Sequence, residues 1–392
     1  MGKRSFATRV PGRLRANRIA EARHRLAGEF VDLTVSNPTA CGFACPPELL
    51  AALADPAGAS YHAEARGLPA ARAALSDLVG SPDLPVDPSQ IVLTASTSEA
   101  YAFLFKLLCN PGEAVLVPAP SYPLLEHLAR LEGVHAVPYH LREEGRWSLD
   151  FDELSAAPRA VRAVVVVHPN NPTGSLICSS DAQALEDLCA ARGWALIADE
   201  VFLPFPLEAH GRPVSFSACR NVLTFVLGGL SKFAALPQLK AAWILVAGPP
   251  RRRQAALARL EFIADAFLSV ATPVQHALPQ LLRYGGQVSE QIRTRCRYNL
   301  TTLRDGLSVL PALSVPPVGG GWSALVRIPD LGSEEERVLH LLEDFRVAVH
   351  PGYFFDFPRD GYLVVSLLPP LDTFRAGVAR LAEGLAAWLG DS

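Results

Sequence analysis

Val222-Leu223-Thr224-Phe225-Val226-Leu227-Gly228-Gly229-Leu230-Ser231-Lys232 joins an apolar run to a glycine pair, a serine and a lysine. The run has the β-branched and aromatic content of a buried strand, and the glycines end it. Lysine is costly to bury, so an amine placed directly after a core strand needs a reason. The plain one is a side chain that snorkels from the strand end to water. Earlier in the chain Asp199 stands in the same situation, closing Ala195-Leu196-Ile197-Ala198. Open α/β sheets bind ligands beyond the carboxyl ends of their strands. An aspartate and a lysine at that edge are either an ion pair or two ends of a binding site.

Similar runs recur at residues 91–96, 114–117, 163–168 and 242–246, with helical patterns at 99–109, 124–132 and 181–192. The last of these follows Ser179-Ser180 and stops at Gly193, a cap and a terminator. The strand runs are continuous and not alternating, as expected where both faces of a parallel sheet are covered. Strands alternating with helices predict an α/β domain wound around one sheet. Beyond Pro273 the pattern changes. Helical stretches at 273–282 and 288–310 lead to a strand at 322–328, a Glu-rich helix at 334–345, a strand at 362–367 and an amphipathic helix at 373–389. This reads as a smaller α+β domain with which the N-terminal segment packs. The expected division is 1–45 as an N-terminal arm and part of the small domain, 46–283 as the large domain, and 284–392 as the C-terminal small domain. The length of 392 residues exceeds the roughly 250–300 at which single cores split.

With 49% hydrophobic and 19% charged residues, the chain is not a disordered one. A net charge of −3 supplies no global field for nucleic acid or an anionic membrane, so the ligand should be small. No apolar run is long enough to span a bilayer. The seven cysteines are scattered and odd in number, which argues against a disulfide framework and for a reducing cytoplasm. Cys41 and Cys45 have no second ligand pair, so they read as ordinary thiols and no metal is expected. The first 28 residues are basic but lack the apolar core of a secretory signal. They are read as a surface helix around residues 17–26, with a transit segment as the alternative. Phe6 stands where the myristoylation pattern has Ser or Thr.

Further stretches complete a set. They are Tyr61 with Arg66-Gly67-Leu68-Pro69, Thr94-Ala95-Ser96-Thr97-Ser98-Glu99-Ala100, Pro120-Ser121-Tyr122-Pro123 and Asn170-Asn171-Pro172-Thr173-Gly174. After them come Asp199-Glu200-Val201-Phe202, Ser231-Lys232 with Lys240 following, and Pro351-Gly352. In this order the set resembles the fold-type-I pyridoxal-phosphate enzymes of the class I/II aminotransferase family, across nearly the whole chain. The resemblance implies a large domain with a mainly parallel, seven-stranded-type sheet between helices, plus a smaller α+β domain. It implies pyridoxal 5'-phosphate, whose aldehyde condenses with a lysine and whose ring nitrogen takes a carboxylate. Lys232 would form the Schiff base and then carry the proton as base and acid. Asp199 would keep the ring nitrogen protonated, Asn171 would donate to the phenolic oxygen, and Tyr122 would stack on the ring. Ser96, Thr97, Ser98, Ser231 and Lys240 would hold the phosphate. Tyr61 would reach the phosphate of a neighbouring subunit, which requires a homodimer.

Each residue also has a plainer reading: a loop turn for Asn171-Pro172, core packing for Tyr122, a helix cap for Ser96–Ser98, a solvated surface for Lys240. The sequence departs from the family at three places. Phe202 stands where a tyrosine usually bonds the phenolic oxygen, and Gly229 where a serine is frequent. Val364, in Tyr362-Leu363-Val364-Val365-Ser366, fills the slot of the arginine that anchors the substrate carboxylate. Losing that bidentate partner is not conservative. Arg66, Asn37, Trp322 and His350 are the candidates for contacting substrate, against surface, turn or core roles. The implied activity is transamination between an amino acid or other amine and a 2-oxo acid. The alternatives are a lyase or cyclase acting on a modified amino acid, and a non-enzymatic sensor.

Overall fold

The computed structural model describes residues 6–12, 15–44, 46–208 and 214–390. The basic start at Met1–Ser5 and the Cys45 partner of Cys41 lie outside them; Cys41 itself is a buried thiol. The continuous apolar runs become the middle of an eight-stranded sheet. Its strands are β1 (Ile91–Thr94), β2 (Ala114–Ala119), β3 (His135–Glu143), β4 (Trp147–Leu149), β5 (Val161–Val167), β6 (Ala195–Asp199), β7 (Thr224–Gly229) and β8 (Ala242–Ala247). They lie in the order β1-β8-β7-β6-β5-β2-β3-β4. The block from β7 to β3 is parallel, β8 is antiparallel to both its neighbours, and β4 folds back antiparallel on β3. Every residue of β2, β6, β7 and β8 is buried, because helices cover both faces.

Two strands at one end of the sheet, β3 and β4, were not visible as apolar runs. β3 reads His-Ala-Val-Pro-Tyr-His-Leu-Arg-Glu and is largely open to solvent, as suits the margin of a sheet. The β3–β4 hairpin does more than end the sheet. Trp147 packs edge-on to Phe357 and beside Tyr362, with ring centroids 5.7 and 5.8 Å away. Glu143 accepts from the Tyr362 hydroxyl and pairs with Arg359 at 3.2 Å. The hairpin therefore grips the strand that carries Val364.

A second apolar core lies beyond the sheet. Ile19 and Ala22 of the helix Arg18–Arg25, Leu33, Ile292–Leu307 side chains, Val326, Leu341, Val365 and Phe374 share it. That first helix starts at Asn17, whose side chain accepts from Ala20 N at 2.8 Å. Val31–Asp32 pairs in parallel with Val347–Ala348, and a three-stranded sheet joins Ser323–Arg327, Tyr362–Ser366 and His350–Pro351. The helix Thr272–Leu307 is continuous, whereas the sequence predicts a gap near Gly285-Gly286. Gly285 is there for close contact: a Cβ would come within 2.8 Å of Ala234 Cβ. The helix thus lies tight against the turn after Lys232, and it crosses the boundary expected at 283/284.

Gly228 is opposite Trp243 in the β7–β8 register, and a Cβ there would stand 2.5 Å from the indole. Gly228→Ala is expected to destabilise the fold by about 1–3 kcal/mol through overpacking. Denaturant unfolding checks this; an unchanged midpoint would show that the indole can yield.

Candidate active site

β6 ends at Asp199, with Val167 of β5 on one side and Leu227 of β7 on the other. This carboxylate is buried, and burial pushes its pKa up. Two donors work against that push: Val201 N–H reaches Oδ1 at 3.2 Å, and the Tyr101 hydroxyl reaches Oδ2 at 3.0 Å. Tyr101 comes from the helix Thr97–Leu108, whose buried face lies on the sheet. The charge of Lys232 also lowers the carboxyl's pKa.

Lys232 sits on the one-turn helix Leu230–Phe233 that follows β7. Its Nζ lies 4.8 Å from the centroid of the Trp322 ring and 5.4 Å from that of Phe202. Burial among these rings lowers its pKa, while Asp199 raises it. Among the described residues no hydrogen bond or ion pair engages its amine. This rules out the plain Asp199–Lys232 salt bridge as the resting arrangement. Burial disfavours the charged form, and an amine left unpartnered is available as a nucleophile.

The helix Thr97–Leu108 begins at Ser96, whose Oγ accepts from Glu99 N at 3.1 Å. Glu99 Oε2 returns a bond to Ala95 N at 2.7 Å. The cap reading holds, and capping Glu99 leaves the Thr97 and Ser98 N–H groups without a partner among the described residues. The loop with Asn171 is fixed by Asn170, a buried residue the sequence did not single out. Asn170 Nδ2 donates to Pro120 O at 3.2 Å, and its Oδ1 accepts from Thr173 Oγ1 at 2.8 Å. Asn171 Oδ1 accepts from Ser323 Oγ at 3.4 Å, which leaves the amide N–H groups of Asn171 as donors.

A cavity of about 390 Å³ unites these groups. Its wall includes Ser96, Thr97, Ser98, Tyr122, Asn171, Asp199, Ser231, Lys232, Lys240, Trp322 and His350. Phe202, without a hydroxyl, is edge-on to Trp322 at 5.4 Å, and Val364 also faces the cavity. Three candidates lie outside it. Arg66 pairs with Glu261 at 3.2 Å and donates to Ser89 O at 3.1 Å, so its charge is committed elsewhere. Asn37 is exposed and caps its own turn, accepting from Thr39 Oγ1 at 2.7 Å; Thr34 and Ser36 reach the wall instead. Tyr61 is 68% exposed, at a separate cleft with Leu268 and Gln275. Tyr101, Thr34, Ser323 and Ser366 were missed because a single hydroxyl in a long chain carries no pattern.

The family model described as aminotransferase class I and II matches residues 29–372. The chain belongs to that family. This aminotransferase is 26% identical over 374 residues to the glutamate-pyruvate aminotransferase AlaA of Haemophilus influenzae, covering 91% of each chain. It is 26% identical over 395 residues to an alanine aminotransferase of Mycobacterium bovis, covering 98% of this chain and 91% of that one. Among solved structures, alanine aminotransferase from Pyrococcus furiosus superposes with a TM-score of 0.85 at 22% identity, covering 95% of this chain and all of that one. A mutant of Thermus thermophilus aspartate aminotransferase gives 0.83 at 23% identity, over 97% and 100% of the chains. The fold is type I, and the enzyme is a pyridoxal-phosphate-dependent transaminase. The donor set suits that cofactor: an unpartnered amine, a buried carboxylate and an open helix N-terminus meet in one cavity.

Tyr101→Phe removes a hydrogen bond to a charged group, a loss of about 1.5–3 kcal/mol. The bond favours ionised Asp199, so its contribution is full above the carboxyl's raised folded pKa and fades as pH falls through it. Urea unfolding of both proteins is expected to show a gap that narrows as pH is lowered through the carboxyl's titration; a gap that persists unchanged once the carboxyl is protonated would assign the hydroxyl a packing role only.

Proposed function

We propose that the enzyme moves an amino group between an amino acid and a 2-oxo acid, with Lys232 as the base. What carries this reading is the convergence of Lys232 and Asp199, unpaired with each other, on one cavity beside a helix N-terminus. When bound, pyridoxal phosphate supplies an aldehyde for covalent capture of amines and a ring that accepts electrons. Lys232 would hold the aldehyde, and its amine would move a proton to and from the substrate carbon. Asp199 keeps a proton on the ring nitrogen; its burial makes that charge pairing strong. Asn171 donates to the phenolic oxygen, unaided by a hydroxyl at Phe202, and Tyr122 covers the ring. Ser96, Thr97, Ser98, Ser231 and Lys240 bind the phosphate. Trp322 and Phe202 exclude water around the amine. The relatives named as glutamate–pyruvate and alanine aminotransferases support transamination over lyase or cyclase chemistry, and a small neutral amino acid such as alanine over a bulky one.

The complete site needs a second copy. Tyr61 shares its cleft with Leu268, and Phe262, 80% exposed, and Phe267 are further exposed aromatics. Exposed aromatics of this kind mark an interaction face. A homodimer would cover it and carry Tyr61 to the partner's phosphate. No helix among the described residues is long and apolar enough to cross a membrane, and the described cysteines are free; the cytoplasm suits such thiols.

Borohydride reduction of the holoenzyme followed by peptide mapping is expected to place the adduct on Lys232, and Lys232→Ala to lower turnover by roughly 10²–10⁴-fold or more. An adduct elsewhere overturns the assignment. With L-alanine the cofactor's absorbance should convert and be restored by a 2-oxo acid; ammonia release without restoration would mean lyase chemistry. Phe262→Glu should yield monomers in sedimentation and lose activity with them. A fully active monomer would end the role given to Tyr61.

A further inference from the structure

The carboxylate of an amino acid sits on the carbon that bears the reacting nitrogen. Where the family places an arginine for it, this cavity presents the isopropyl group of Val364. A desolvated carboxylate without a partner is strongly unfavourable, so some other group must meet it. The neighbouring hydroxyls are already spent. Thr34 Oγ1 donates to Asp32 Oδ1 at 2.5 Å and accepts from Arg23 Nη1 at 3.0 Å. Ser366 Oγ donates to Val35 O at 2.6 Å. Lys232 and Lys240 are engaged by the cofactor in the reading above.

His350 remains. The strand His350–Pro351 runs antiparallel to Tyr362–Ser366, and His350 is the residue directly opposite Val364. Both side chains line the cavity. The imidazole stands against Phe354 and Phe355, each with its centroid 5.8 Å away. Those rings fix its plane without occupying its nitrogens. Among the described residues it makes no hydrogen bond.

We propose that His350 receives the substrate's carboxylate in place of the missing arginine, taking up a proton as the anion binds. This rests on the transaminase reading and names the residue that gives it selectivity for acids.

The charges facing His350 are Arg23, on the helix Arg18–Arg25, and Asp32, on the strand Val31–Asp32. They are paired at 2.5 Å, and their effects on the imidazole oppose each other. Glu334, on the adjoining helix Glu334–Glu343, is held by the backbone amides of Tyr353, Gly361 and Tyr362. The strand Tyr362–Ser366 brings no carboxylate, lysine or arginine. Burial dominates and holds the free imidazole down to about 4, so it is neutral at pH 7. A bound carboxylate raises that value. Affinity is then greatest at low pH and falls as pH climbs from the free value toward the raised one. Above both, the neutral ring offers a single N–H. An arginine would show no such dependence.

The test is calorimetric titration of the cofactor-loaded enzyme with propionate, a carboxylate that cannot react, from pH 5.5 to 8. The ratio of wild-type to His350→Asn affinity cancels every titration except that of His350. It is expected to be at least ten-fold at pH 5.5 and to shrink toward unity by pH 8. In wild type, the binding heat should vary with the buffer's ionisation heat, showing net proton uptake that the variant lacks. In His350→Asn, adding Val364→Arg should restore propionate binding without the pH dependence. A constant ratio, or equal proton uptake in both proteins, overturns the proposal. Should His350→Asn fail to bind cofactor, the wild-type buffer experiment decides alone: no proton uptake, no role. If propionate behaves as expected while L-alanine leaves the cofactor unchanged, the transaminase reading fails and His350 stands. If L-alaninol is used better than L-alanine, His350 does not select acids.

Discussion

Burying the Asp199 carboxylate at the end of β6 is the constraint around which the site is arranged. A charge there is tolerable only with donors and a cation nearby, and each neighbour answers that need. Tyr101 turns its hydroxyl inward from the helix Thr97–Leu108, and Val201 bends the chain so that its N–H points back. The same helix begins at the cavity wall, so one element serves the carboxylate at one turn and lines the cavity with Thr97 and Ser98 at another. Lys232 feels the charge without touching it, which keeps its amine free.

The cavity belongs to neither core alone. Its cofactor-facing wall comes from the strand ends and loops of the large sheet, and the wall opposite from Thr34, Trp322, His350, Val364 and Ser366. On the proposed assignments, chemistry and selectivity would be carried by separate scaffolds. The Ser121 N–H that bonds Phe355 O at 2.9 Å ties the loop bearing Tyr122 to the second scaffold. Continuity of the helix Thr272–Leu307 between the two, tight against the turn after Lys232, fixes their relation.

Much of this was legible from residues alone. Buried parallel strands announce themselves as unbroken Val/Ile/Leu runs, and a lysine or aspartate at such a strand's end stands out against them. Asn171, Tyr122 and Lys240, which line the cavity, were singled out by their place in a motif. What escaped was written in other terms. β3 is mostly polar and solvent-facing and β4 is only three residues long, so neither carried an apolar run. Gly285 looked like a helix breaker because its reason, contact with Ala234, is tertiary. Arg66 seemed a free cation until Glu261, remote in sequence, claimed it. The His350–Val364 pairing depends on strand register, which one strand's composition does not disclose.

The grip of the β3–β4 hairpin on Tyr362 has a bearing on how such an enzyme diverges. Tyr362 and Val364 project from the same face of one strand, two residues apart. A displacement of the hairpin is transmitted through Glu143 and Trp147 to the Val364 wall of the cavity, the proposed seat of the substrate's carboxylate. Reacting groups tolerate little misplacement, so sub-ångström adjustments suffice to change which molecule fits. New substrate preferences can therefore arise from drift in a solvent-facing ribbon, leaving the catalytic apparatus under its own, separate selection.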